Sequence, residues 1–223
     1  NVYDSLSYGS NSIFNNVPTD YHVTGVRNNT KGALVATAYK TNLSDSWSYK
    51  FYRYDARGRV TKMWQYISGL GWKTMLYSYS SQDQVTYLNY CPSTAENKLY
   101  KYSYDNTARL VDVSIYTGIA SEEMEEDYPG EYFSYASYAY NKNSQILEYK
   151  INNNSFGFEY EYNNRNWVTK FTRNYPINAP NLYVYILQYL SNGNIRRSIH
   201  GGDYRSLLPN NSNLNITYIY DKA

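Results

Sequence analysis

Aromatic and polar residues alternate along much of this chain. Phe156, Phe158, Tyr160 and Tyr162 stand two positions apart, with Glu159 and Glu161 between them. A spacing of two places successive side chains on opposite faces of a strand, so the rings line one face and the carboxylates the other; a helical period fits neither set. Tyr183, Tyr185, Leu187 and Tyr189 repeat the spacing, with Leu182, Val184 and Ile186 on the opposite face. A segment apolar on both faces predicts a strand in the interior of a sheet.

The alternation belongs to a repeated unit of strand, tight turn and strand. Its fullest form is Tyr52-Arg53-Tyr54-Asp55-Ala56-Arg57-Gly58-Arg59-Val60-Thr61-Lys62. Further copies are Tyr77-Ser78-Tyr79 with Val85, Tyr102-Ser103-Tyr104-Asp105 with Leu110, and Tyr138-Ala139-Tyr140-Asn141 with Ile146. Tyr160-Glu161-Tyr162-Asn163 with Val168 and Leu187-Gln188-Tyr189 with Ile195 continue the series. Two degenerate copies, Leu6-Ser7-Tyr8 with Phe14 and Val26-Arg27-Asn28 with Leu34, precede them, and a truncated one, Tyr218-Ile219-Tyr220-Asp221, follows. In each full copy the apolar residue stands six positions beyond the second strand residue, as Val60 does beyond Tyr54. Asp, Asn and Gly in between supply the φ > 0 positions of a hairpin turn.

The units recur every mid-twenties of residues, apart from one gap of 36 between Tyr104 and Tyr140. That gap holds the acidic stretch Ser121 to Gly130, read as a loop, and Tyr175 to Pro180 with its two prolines is read as another. The repeat resumes after both, so residues 1–223 form a single domain. The fold class is all-β: a meandering antiparallel sheet of roughly 16–18 strands. So wide a sheet exposes two edges unless it curls, which predicts a large porin-like or flattened barrel, with an open one-layer or two-layer sheet as the alternative.

Tyr52-x-Tyr54-Asp55-x-x-Gly58-Arg59-Val60-Thr61 resembles the YD (RHS) repeat of bacterial wall-associated and toxin-carrying proteins. The other copies keep the paired aromatics and lose the Gly or the Arg. The chain is also similar to a family of exported gut-Bacteroidetes proteins, Tyr- and Asn-rich and many of them lipoproteins, described as having a porin-like barrel. These resemblances imply export to the periplasm, outer membrane or surface of a Gram-negative cell, with a lipid anchor upstream. They transfer no catalytic residue. The Asp-Pro self-cleavage motif that closes the shells of YD-repeat toxins is absent, and the chain is too short to enclose cargo.

Composition narrows the function classes. With 31 Tyr, 6 Phe and 4 Trp the aromatic share is 18%, while mean hydropathy is −0.71. No apolar run approaches the roughly 20 residues of a spanning helix. Charged residues interrupt both strand faces, among them Lys50, Arg53, Lys62, Lys101, Glu159, Glu161, Lys170 and Arg173, which argues against a lipid-facing barrel and transmembrane insertion. A net charge of +2 is too balanced for nucleic-acid binding.

Catalytic constellations are sparse. His22 and His200 lie far apart in the chain and Cys91 is the single cysteine, which leaves no metal tetrad and no nucleophile with its base. The chain is therefore expected to be no enzyme and to need no cofactor or metal. Glu159 and Glu161, about 7 Å apart on one strand face, are the only spacing suggestive of glycoside hydrolysis, and a solvated strand face explains them. The tryptophans Trp47, Trp64, Trp72 and Trp167 are the candidate ligand platforms, since flat apolar rings suit sugar faces. Together these features point to a non-enzymatic envelope binding or interaction module whose partner is a glycan or an envelope protein. A carbohydrate-active enzyme of unrecognised type and a small outer-membrane pore are the alternatives.

Overall fold

The computed structural model describes residues 2–3, 17–21, 29, 31–42, 44, 46–122, 128, 130–153, 155–174, 183–201 and 214–217. The copies at Tyr8, Asn28 and Tyr220, the prolines of 176–180 and most of the acidic run lie outside the described residues. Every described element is a strand: β1 (Val2–Tyr3), β2 (Leu34–Tyr39), β3 (Ser48–Tyr54), β4 (Val60–Ile67), β5 (Gly71–Tyr79), β6 (Val85–Tyr90), β7 (Lys98–Tyr104), β8 (Leu110–Tyr116), β9 (Tyr132–Tyr140), β10 (Ile146–Ile151), β11 (Phe156–Tyr162), β12 (Val168–Asn174), β13 (Tyr183–Tyr189), β14 (Ile195–Gly201) and β15 (Leu214–Thr217).

Strand order follows chain order from β1 to β15 in one 15-stranded sheet. The expected barrel is corrected here: among the described residues β1 and β15 stand at the two ends of that order and do not pair with each other, so the described ladder is an open sheet, as in the alternative. The backbone divides into two compact units, Asn1–Lys101 with Ile115–Glu131, and Tyr102–Ser114 with Tyr132–Ala223.

Each predicted aromatic pair ends a strand, at Tyr54, Tyr79, Tyr104, Tyr140, Tyr162 and Tyr189, and each apolar residue six positions on begins the next. The turns between them share one geometry. In the first, Asp55 N–H donates to the Arg59 carbonyl at 2.9 Å and Gly58 N–H to the Asp55 carbonyl at 3.1 Å. The fourth turn residue is left-handed in every copy, with φ of 79° at Gly58, 64° at Asp83, 67° at Ala108, 60° at Ser144, 65° at Asn166 and 94° at Gly193. Copies that lack the glycine therefore keep the turn and hold an L-residue in a conformation that glycine adopts without cost. A side chain at the first position compensates. Asp55 Oδ1 accepts from the N–H groups of Arg57 and Arg59 at 2.9 and 3.0 Å. Asp105, Asn141 and Asn163 do the same in their turns, and Ser80 uses its hydroxyl.

Successive hairpins are stitched together. Tyr79 donates its hydroxyl to the Val60 carbonyl at 2.7 Å, one hairpin back; Tyr54 reaches Leu34, Tyr140 reaches Leu110, Tyr162 reaches Ile146 and Tyr189 reaches Val168 in the same manner. In three of these turns the closing residue covers the next tyrosine ring. Arg59 ion-pairs with Asp55 at 2.6 Å and lies 4.6 Å over Tyr79; Arg109 pairs with Asp105 at 2.7 Å and lies 4.8 Å over Tyr140. Trp167 takes that place against Tyr189, with ring centroids 5.1 Å apart.

Two expectations follow. Nothing stands within 4 Å of a Cβ built at Gly58, so Gly58→Ala should lose about 1 kcal/mol through the backbone alone, whereas Ala108→Gly should gain a similar amount, both read by urea unfolding. Burial raises the pKa of Tyr54, Tyr79, Tyr162 and Tyr189 above the usual 10. A raised folded-state value contributes stability that is complete below about pH 10 and is lost as pH climbs past it. Alkaline titration of the unfolding free energy should show that loss, and Tyr162→Phe should cost about 1 kcal/mol at neutral pH while reducing it.

Candidate functional site

Cross-strand register gathers the aromatic residues of the first unit on one face. Ala36, Phe51, Trp64 and Thr74 stand opposite one another in turn across β2 to β5, and Tyr49, Tyr66 and Trp72 form the adjacent row. Trp64 lies in the core cluster and is 3% exposed. The Arg53 guanidinium and the Lys62 ammonium each lie 5.0 Å from its ring, and Tyr21 meets it edge-on at 5.5 Å. Lys62, itself 8% exposed, is neutralised by Asp20 at 2.6 Å and Glu122 at 3.4 Å. Trp47 packs partly buried against the same cluster, with the Lys40 ammonium 5.2 Å from its ring. Trp72 is 38% exposed, resting on Tyr66 and Phe51, and alone of these three offers an open ring.

The long loop after β8 docks on this unit through buried amides. Asn97 Nδ2 donates to Asn89 Oδ1 at 2.6 Å, Asn89 Nδ2 to the Ser121 carbonyl at 2.8 Å, and Ala120 N–H to Asn97 Oδ1 at 2.8 Å. Tyr128 adds its ring against Tyr87 and Tyr116.

The second unit presents a broader aromatic stripe. Tyr138 of β9 stacks on Tyr149 of β10 at 5.2 Å. Phe156 and Phe158 of β11 meet edge-on at 5.2 Å, Phe158 contacts Phe171 of β12 at 6.1 Å, and Phe171 stacks on Tyr185 of β13 at 5.1 Å. His200 of β14 closes the row 5.6 Å from Tyr185. All of these side chains are half-buried. Gly157 lets β10 come close beside them, since a Cβ there would stand 2.7 Å from the Tyr149 carbonyl oxygen. Trp167 is half-buried on Tyr189 and belongs to the hairpin stitching.

At one end of this stripe lies an open cleft of about 370 Å³, lined by Ile151, Asn152, Ser155, Phe156 and Arg173. The Arg173 guanidinium carbon is 4.4 Å from the Phe156 ring centroid. The turn from β10 to β11 is tied back to β9, Asn152 N–H donating to Tyr135 O at 2.8 Å and Asn153 N–H to Ser134 O at 2.7 Å. Asn suits both positions, with φ of 51° and 52°. No motif marks Arg173 in the sequence. The alternation in 156–162 indicates the aromatic face, but only the register Phe158↔Arg173 brings the cation onto it.

The polar candidates have ordinary partners. Glu161 ion-pairs with Lys170 at 2.8 Å on an exposed strand face, and Glu159 stands exposed opposite Glu148, which pairs with Lys150. Among the described residues no group of three or more His, Cys, Asp or Glu is placed to hold a metal ion. Two turn carboxylates are held in the charged form. Asp55 lies below the usual carboxylate range because the N–H groups of Arg59 and Arg57 and the Arg59 guanidinium outweigh the upward push of partial burial; Asp105 is held down chiefly by the Arg109 N–H, with Thr107 and the Arg109 side chain assisting.

The fold is thus an all-β array of hairpins in a single meandering sheet. It is similar to a chain in the Photorhabdus luminescens Tc holotoxin pore carrying a mutation in TccC3, with a TM-score of 0.57 and 13% identity over 78% of this chain and 8% of that chain. A second solved structure, TcdB2-TccC3, gives a TM-score of 0.56 and 12% identity, again over 78% of this chain and 8% of that one. The likeness is one of fold, and the chain spans only a small part of those proteins. No family model matches the chain, and no curated protein sequence matches it.

The contrast between Trp64 and Trp72 is directly measurable. Trp64→Ala should lose about 3–5 kcal/mol, the cost of emptying a core aromatic site, and Trp72→Ala about 1 kcal/mol or less. Urea denaturation of the two variants distinguishes the core ring from the surface one.

Proposed function

We propose that the chain is a non-enzymatic binding module of the bacterial cell envelope, built from YD-type hairpins and exported to the periplasm or cell surface, with glycan as its ligand class. The observation that carries this reading is the half-buried aromatic stripe running from Tyr138 and Tyr149 through Phe158 and Phe171 to Tyr185. Rings with apolar faces and hydroxyl tips, held at fixed spacing by a stitched scaffold, match the alternating C–H faces and hydroxyls of saccharides. Trp72 supplies a further open ring in the first unit. The open ladder weighs against a pore, because hydrocarbon satisfies none of the backbone groups on a free strand edge. Glu161, the carboxylate best spaced for hydrolytic work, is engaged by Lys170 in a solvated pair, which favours binding over turnover.

Thermal-shift and calorimetric titration of the purified chain against neutral and acidic oligosaccharides tests the reading. A ligand present at about 100 times its Kd should stabilise the fold by about 2.7 kcal/mol. Tyr149→Ala should abolish that shift while the fold persists. The absence of a shift with every saccharide would overturn glycan as the ligand class.

A further inference from the structure

The cleft beside the β10–β11 turn carries a cation without a counter-ion. Arg173 stands opposite Phe158 on one side and Tyr183 on the other, so its cross-strand neighbours are rings. Its Nε is a buried atom with no hydrogen-bond partner, and among the described residues no carboxylate pairs with its guanidinium. Five other cations of the sheet, Arg59, Lys62, Arg109, Lys150 and Lys170, each reach a carboxylate. A guanidinium flanked by aromatic rings, in partly desolvated surroundings, is a strong and geometrically selective receptor for a planar oxyanion, which it can meet with two parallel N–H donors.

The rest of the lining indicates what carries the anion. Ile151 and Phe156 provide apolar surface, while Asn152 and Ser155 bring an amide and a hydroxyl. A cleft of about 370 Å³ is within the size range of small-ligand sites. A pyranose bearing a carboxylate has the same division of surface, with one C–H face, a rim of hydroxyls and a planar charged group at one end.

We propose that this cleft binds the uronic acid residue of an acidic glycan. Arg173 pairs with the carboxylate, Ile151 and Phe156 meet the C–H face, and Asn152 and Ser155 bond the ring hydroxyls. The turn that holds Asn152 is fixed to β9 by backbone hydrogen bonds, so the receptor is formed before the ligand arrives. This rests on the glycan-binding reading above and names the acidic subsite within it.

The test is calorimetric titration of the whole chain with tri-galacturonate and a glucuronate trisaccharide, with their methyl esters, and with neutral trisaccharides of matched size. At least one free acid should bind, at least tenfold more tightly than its ester, which replaces the negative charge with a neutral methyl ester. Arg173→Gln should remove that preference and Arg173→Lys restore only part of it. Because Arg173 lies within the sheet, Asn152→Asp provides a second variant at an exposed turn; it should also weaken the free acid at least tenfold with thermal stability unchanged. Equal binding of acid and ester, or acid binding that survives both Arg173→Gln and Asn152→Asp, would overturn the acidic subsite and leave the glycan-binding reading standing. Tighter binding of a peptide with a free C-terminal carboxylate, competing at Arg173, would overturn the sugar assignment. Failure of every saccharide, charged or neutral, would remove both.

Discussion

A tyrosine hydroxyl donated to a backbone carbonyl one hairpin back is the interaction on which this sheet depends. Tyr79 to Val60, Tyr140 to Leu110, Tyr162 to Ile146 and Tyr189 to Val168 are the same bond in successive copies. Each joins the last residue of one strand to the first residue of the strand just before it in sequence, across the junction between two turn-closed hairpins. In a meander, hairpins otherwise communicate only through the ladder, and an isolated hairpin is marginal in water. The stitching makes each hairpin a support for its successor. It also explains the tyrosine content, because phenylalanine packs equally well but has no hydroxyl to reach the carbonyl.

The turn motif and the stitch are one device. Asp55 fixes the turn through two backbone N–H groups and holds Arg59, and Arg59 then covers the ring of Tyr79, whose hydroxyl binds the carbonyl of the residue directly after Arg59. Asp105, Arg109, Tyr140 and Leu110 reproduce the circuit. Neutral versions exist, with Asn163 capping the turn and Trp167 covering Tyr189. The charge is therefore replaceable, while a capping acceptor and a flat or planar cover recur. With rigidity supplied along the turn edge, the strands are free to carry different side chains on their faces. One unit uses its face for a core around Trp64, and the other leaves an aromatic stripe half open with Arg173 at its end.

Much of this was legible in the residues. Alternation placed Phe156, Phe158 and Tyr160 on one face and Glu159 and Glu161 on the other, and the offset of six located both the last residue of one strand and the first of the next in every described copy. The left-handed turn position was legible only where glycine occupies it. At Ala108 and Ser144 the residue type points away from φ > 0, and the conformation is imposed by the flanking strands and by the Asp105 and Asn141 caps. The aromatic side of the candidate site could be read from spacing, whereas Arg173 could not, because its place beside Phe158 is a matter of register between two strands.

By itself, the sequence determined the strands, their turns and their antiparallel order, since these follow from periodicity and local backbone preference, properties of residues close together in the chain. Tertiary structure alone decided whether the ladder closes, which tryptophan is core and which is surface, and which cations reach a carboxylate. Closure depends on whether the first and last strands of the order meet, a relation between residues far apart in the chain that no local pattern encodes. Trp64 and Trp72 are the same residue type eight positions apart in neighbouring strands; their different fates follow from Tyr21, Arg53 and Lys62 converging on one ring and not the other. Burial and charge pairing are set by residues distant in the chain, and only the folded sheet brings those together.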